Sequence, residues 1–168
     1  MRIRTLNRKT TDGLRGPLPS FSVCILGVLT LLSTGCRSGD RLPDPSSKAY
    51  ADYVSTFYVG LAALQVGDDV RAESNLASAT QMVPGEPAGW GNWGILALRQ
   101  RSFDAAGQRL DRARELAPKN DRIYYLLGLL EGDRGNSAKA IADLRQAIQL
   151  NPANLRAIYQ LADRKAHV

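Results

Sequence analysis

The chain has 168 residues, 44% hydrophobic and 23% charged, a balance too apolar for a disordered segment and a length that fits one folded domain. Two cysteines exclude a disulfide-dense scaffold, and the single histidine, His167, leaves little room for a histidine-based metal site or catalytic triad. The net charge of +6 sits mostly in residues 1–35, where Arg2, Arg4, Arg8, Lys9 and Arg15 stand against Asp12; residues 36–168 hold 17 basic and 15 acidic residues, no footprint for a phosphate backbone, and predict no nucleic-acid partner.

Residues 1–35 read as an address rather than as part of the fold. Arg15 and Arg37 bracket an uncharged stretch centred on the apolar run 21–32. A basic start, a short apolar run and the small residues Ser33, Thr34 and Gly35 have the layout of a secretory signal. The run is short for a permanent span, which takes about 20 apolar residues. Leu32-Ser33-Thr34-Gly35-Cys36 resembles the lipobox of bacterial lipoproteins. That resemblance implies cleavage before Cys36 and acylation of its thiol and new amine, with Gly35 as the small residue ahead of the cut. The chain departs from the pattern at Ser33, where leucine is usual. An uncleaved signal anchor and simple secretion are the alternatives. The expected location is exported and membrane-anchored at the cell envelope, on its periplasmic or outer face. Cys24 would leave with the signal. Residues 36–47 then form the lipidation site and a Pro-, Ser- and Gly-rich flexible linker.

From there the apolar spacing predicts helices over 47–65, 69–82, 87–100, 103–116, 121–134, 137–150 and 155–166. No stretch alternates with the period of two that a half-buried strand requires, so the expected fold class is all-α. Ser47, Asp68, Ser137 and Asn154 are the cap candidates, Pro87 suits a first helical position, and Gly67 and Gly135 mark turns.

The region 48–168 also repeats. Gly60, Gly94 and Gly128 are 34 residues apart, as are Ala72, Ala106 and Ala140; Leu76, Leu110 and Leu144; Ala79, Ala113 and Ala147; and Pro84, Pro118 and Pro152. The units are 53–86, 87–120 and 121–154, with a terminal helix at 155–166. Small residues in these columns let two helices approach closely, bulky ones fill the gaps, and each proline stops a helix. On these residues the chain resembles the tetratricopeptide repeat family, whose units are 34-residue helical hairpins. Trp90 and Tyr124 stand at its bulky position 4; Thr56 departs from it, and Glu131 departs from the apolar position 11. The resemblance implies an α-solenoid of three hairpins. The last helix reads either as a cap or as half of a truncated fourth repeat. In it Ile158, Leu161 and Ala162 are expected to face inward, and Arg156, Asp163, Arg164 and Lys165 to face water.

Catalytic signatures are missing. Gly89-Trp90-Gly91-Asn92-Trp93-Gly94 spells a dinucleotide fingerprint but falls within a predicted helix, with no strand before it, so its glycines are read as packing positions. Glu131, Asp133 and Asp143 are expected to be solvated. The sequence therefore predicts no enzyme, no cofactor and no metal site.

In the family resembled, the first helix of each unit lines a concave groove. Carried onto this chain, the partner-binding residues are Val54, Phe57, Leu61 and Leu64 in unit one, Ile95, Leu98 and Arg99 in unit two, and Arg122, Tyr125 and Leu129 in unit three. Some members clamp a terminal carboxylate with lysine and asparagine in the first unit; Phe57 and Leu61 stand there instead. The expected function is a non-catalytic protein–protein interaction scaffold of the bacterial cell envelope, holding a protein or peptide ligand in this groove. The alternative is the N-terminal repeat module of a longer exported protein. A cytoplasmic adaptor would require the first 36 residues to be retained.

Overall fold

A computed structural model describes residues 41–166, and these form seven α-helices with no strand: α1 (Lys48–Val66), α2 (Asp69–Met82), α3 (Pro87–Arg99), α4 (Phe103–Leu116), α5 (Asp121–Asp133), α6 (Ser137–Leu150) and α7 (Leu155–Ala166). The helices pair as hairpins α1–α2, α3–α4 and α5–α6, and the hairpins stack through α2–α3, α4–α5 and α6–α7. The all-α repeat fold expected from the sequence is the one observed, with helix ends within one residue of those predicted.

The starts and stops have local causes. Ser47 accepts from the Tyr50 amide and Asp68 from the Arg71 amide, and the Asn154 side chain accepts from the Ala157 amide at 3.0 Å. Each bond satisfies one orphan donor of a first turn. Pro87 occupies the first turn of α3, behind the Glu86 cap. Ser137 is not a cap: Asn136 holds that position, without a side-chain capping bond. The turn within each unit needs a left-handed residue. Gly67 (φ 84°) and Gly135 (φ 82°) supply it in units one and three, and Arg101 (φ 56°) takes it in unit two despite its Cβ. The end of the predicted linker is also structured: Asp44 accepts from the Ser46 amide and from the Ser46 hydroxyl, and its backbone carbonyl accepts from the Ser47 amide.

The repeat columns are the core. Leu76, Leu110, Leu144 and the six column alanines have no exposed surface. A Cβ on Gly94 would lie 2.7 Å from Leu110, one on Gly128 2.7 Å from Leu144, and one on Gly60 3.1 Å from Leu76. Each leucine of a second helix thus sits where a first-helix side chain would stand, and each buried leucine contributes about 1.5–3 kcal/mol of transfer free energy. The aromatics at position 4 tie units together: Trp90 Nε1 donates to the Pro84 carbonyl (2.9 Å) and the Tyr124 hydroxyl to the Pro118 carbonyl (3.2 Å).

Three expectations are corrected. Glu131 is not solvated but buried, accepting from Lys139 Nζ (2.8 Å), Asn136 Nδ2 (2.8 Å) and Arg134 Nη1 (3.2 Å). Burial alone would raise its carboxyl, but these donors outweigh it and hold the group below its ordinary value of 4.5. Asp143 is half-buried, with one carboxylate oxygen enclosed and unpartnered. Burial pushes its carboxyl above the ordinary 3.8, against the pull of Lys139 and Arg114. In α7 the inward residues are Ala157 and Leu161, packed with Leu144 and Ala147; Ile158 and Ala162 are exposed. The Arg164 guanidinium lies against Gly132 rather than in water.

These two acids predict opposite pH behaviour. The lowered carboxyl of Glu131 gives stability that is present above about pH 4.5, its unfolded value, and is lost as pH falls through its folded value. Glu131→Gln should therefore cost about 1–3 kcal/mol at neutral pH, by the loss of charge-assisted bonds to a buried group, and progressively less in acid. Asp143→Asn should stabilise at neutral pH, because the ionised form is disfavoured in the fold, and the gain should vanish where Asp143 is protonated. Urea unfolding of both variants at pH 7 and pH 3.5 checks the signs.

Candidate functional site

The first helices α1, α3 and α5 carry most of the expected groove residues as one strip. Phe57, Leu61, Ile95, Leu98, Tyr125 and Leu129 are each partly buried, keeping one face open. Three of them bridge successive parts of the core. Phe57 packs both on Tyr53, Ala79 and Val83 and on the Leu64–Leu76 cluster. Ile95 joins that second cluster to the one around Leu110 and Leu127, and Tyr125 joins the latter to Leu144 and Ala157. The strip is therefore continuous and backed by core at every step. Val54 packs with Phe57 at its start.

Two expected residues are used internally. Leu64 is buried at 7% exposure, so it offers a partner no useful surface. Arg99 donates to the Leu64 carbonyl at 2.6 Å and pairs with Asp69, bracing α3 against the first hairpin. Arg122 is exposed and enters no ion pair, so it remains a free cation at the edge of the strip.

Where α3 meets α5 the strip deepens into a cavity of about 170 Å³, with Ala88, Gly91, Asn92, Ile123 and Leu126 as walls and Glu86, Asn120 and Arg122 at its rim. Asn92 is held in place by donating to the Ala88 carbonyl at 2.8 Å. A Cβ on Gly91 would meet nothing within 4 Å, unlike one on Gly94. Gly91 thus keeps space open rather than admitting a neighbour. The fingerprint-like glycines lie inside α3, and Gly89 faces Thr80 at 3.0 Å, so they serve packing and this opening. Of the cavity residues, Asn92, Ile123 and Leu126 lay outside the expected groove set. They stand one position from Gly91, Arg122 and Tyr125, and only the meeting of two helices brings them to a common hollow.

Among the described residues, no cluster of three His, Cys, Asp or Glu side chains is placed to hold a metal, and no helix is long and apolar enough to cross a membrane. Cys36, the proposed signal 1–35 and His167 lie outside the described residues.

Against known proteins, a tetratricopeptide-repeat profile matches residues 92–154. No curated protein matches the chain. Among solved structures, the TPR domain of Arabidopsis OM64 is similar with a TM-score of 0.67 at 21% identity, over 71% of this chain and 99% of that one. The second TPR domain of human RPAP3, solved in complex with an HSP70 peptide, is similar with a TM-score of 0.65 at 17% identity, over 70% and 98%. A mutant of the Thermobaculum terrenum O-GlcNAc transferase matches with a TM-score of 0.67 at 23% identity over 71% of this chain, which spans 23% of that enzyme. These likenesses establish the fold, a helical-repeat solenoid of the tetratricopeptide kind; proteins with such repeats generally mediate protein–protein interaction.

The two glycines three residues apart in α3 make a direct test of the cavity. Gly91→Ala should stabilise by about 1 kcal/mol, the helix-propensity gain with no new contact. Gly94→Ala should destabilise by about 1–3 kcal/mol, because the Leu110 side chain must move. Thermal and denaturant unfolding of the pair would reject this assignment if the two changes had the same sign.

Proposed function

We propose that the protein is a non-catalytic interaction scaffold of a bacterial cell envelope, fixed to a membrane through acyl chains on Cys36, that holds an apolar segment of a partner protein along the inner strip of its solenoid. The observation that carries the binding half is the continuous half-exposed line Phe57–Leu61–Ile95–Leu98–Tyr125–Leu129 ending beside an open cavity. Apolar surface of this extent at a protein's exterior marks an interaction site. Its shape suits a helix or extended peptide with two or three apolar anchors, one of them seated over Gly91. The peptide held by the RPAP3 domain supports the use of such a solenoid for peptide capture. The first unit does not favour a terminal-carboxylate clamp, since Phe57 and Leu61 give apolar contact there.

The anchoring half rests on the sequence: a basic start, the apolar run 21–32, and Gly35-Cys36 ahead of a Pro- and Ser-rich linker. Two or three acyl chains at one cysteine would give stable membrane attachment where a single chain is marginal.

Both halves can be tested separately. Leu61→Lys and Gly91→Leu change the open face without removing a side chain that bridges the core. With a photo-crosslinker at Leu98, partner adducts formed in intact cells should fall at least tenfold in the double variant, with helicity and melting temperature retained. Unchanged adducts would remove the groove from the proposal. Intact-mass and N-terminal analysis of the membrane fraction should find a chain beginning at acylated Cys36; a chain retaining residues 1–35 without acylation would defeat the lipoprotein reading.

A further inference from the structure

The exposed large hydrophobic side chains of the described residues are not scattered. Leu42, Tyr58, Val66, Val70 and Met82 lie in the first unit or just before it, and Leu155, Ile158 and Tyr159 lie on α7; none falls between residues 83 and 154. The repeat frame explains both sets. Tyr58 and Ala62 hold the unit positions that Asn92 and Leu96 hold in α3 and that Leu126 and Leu130 hold in α5. Those four are buried, Leu96 packing with Ala72 and Leu76 and Leu130 with Ala106 and Leu110, so this face is the one that meets the preceding hairpin. Ile158 and Ala162 hold the positions of Trp90 and Gly94 and of Tyr124 and Gly128, the face that receives a second helix in each complete unit. A repeat stack normally ends in polar faces. Here both end faces are apolar, and each is the kind of surface that continues a stack.

The two ends also differ in relief. On α1 the open face contains a notch of about 200 Å³ lined by Val59, Ala62, Ala63 and Val66, with Asp68 and Arg71 at its polar edge. On α7 the open face is a ridge, led by Tyr159 at 70% exposure between Leu155 and Ile158. A tyrosine suits such a notch, because its ring fills apolar space while its hydroxyl reaches the polar edge. We infer that copies of this chain associate head to tail, the Tyr159 ridge of one copy seating in the Val59–Ala62–Val66 notch of the next, so that the solenoid continues from chain to chain. A protrusion and a pocket at different places on one molecule make a heterologous contact, which generates open or ring-shaped assemblies rather than a two-fold dimer. A symmetric α7–α7 pair would leave the notch empty; the head-to-tail contact covers both faces at once. This inference is independent of the inner strip.

The test uses the full chain, co-produced in two differently tagged forms, with p-benzoylphenylalanine in place of Tyr159. Irradiation should give a product joining the two tags, with the new bond mapped to residues 58–71 of the other copy. The reciprocal probe at Val66 should map to residues 155–162. Val66→Asp should reduce the first product at least tenfold without lowering the melting temperature, since Val66 is 81% exposed. Gly91→Leu should leave it unchanged, which separates this contact from the groove. Adducts joining α7 to α7, adducts with other proteins only, or no adduct between copies would each overturn the inference.

Discussion

Each hairpin is organised by one contact, a leucine of its second helix lying over a glycine of its first. At Gly94 and Gly128 the leucine is closer than any Cβ would allow, and at Gly60 it is nearly so. This approach brings the helices so near that only alanine fits at 72, 106 and 140 and at 79, 113 and 147, all of which are fully buried. Glycine in a helix costs about 1 kcal/mol relative to alanine, and the tight packing of a whole leucine side chain offsets that cost. Because the contact recurs every 34 residues, each hairpin is a near copy of the last, and the first helices line up on one side. The inner strip is thus a consequence of the packing rule, and its chemistry is free to vary at positions the rule does not fix.

That distinction explains what the sequence revealed. The columns of fixed size and fixed spacing were legible because packing leaves them no choice, and so the helices and the hairpin pairing could be read off directly. Residues outside the rule were not. Glu131 stands where Ala63 and Ala97 stand in the other units, and only the folded hairpin brings Lys139 and Asn136 back across the turn to satisfy it. Arg101 breaks the Gly67–Gly135 column, so composition gave no sign that it is left-handed. The inward face of α7 was misassigned for a related reason. Periodicity alone gives Ile158 the role it has in a complete unit, but the described chain supplies no helix to cover it, and α7 buries Ala157 and Leu161 against α6 instead.

The inner strip combines rigidity with one open place. Phe57, Ile95 and Tyr125 each join two portions of the core, so their rings and branches are held before any partner arrives. Surfaces ordered in advance lose less entropy on binding. Such a floor also tolerates substitution poorly, because changing it alters the stacking of hairpins as well as the contact with a partner. Gly91 is the exception: it touches no neighbour and shapes the cavity only by what it lacks. Partner selectivity in a solenoid of this kind is therefore most easily tuned at such uncommitted positions and at rim charges such as Arg122.

Tethering would change the weight of a weak contact. A ridge of three side chains in a shallow notch falls short of the roughly 800 Å² per partner of a standard stable interface, and free copies would associate feebly through it. Copies attached to one membrane by a short linker meet at a much higher effective concentration, and each added copy contributes a further junction without any new chemistry. A junction that continues the stack also keeps successive inner strips on the same side. A long or repetitive partner could then engage several strips at once, gaining avidity that no single chain of this length provides. The bare apolar faces at the two ends, which would be a solubility liability for an isolated solenoid, are on this view what lets a short chain act as part of a longer one.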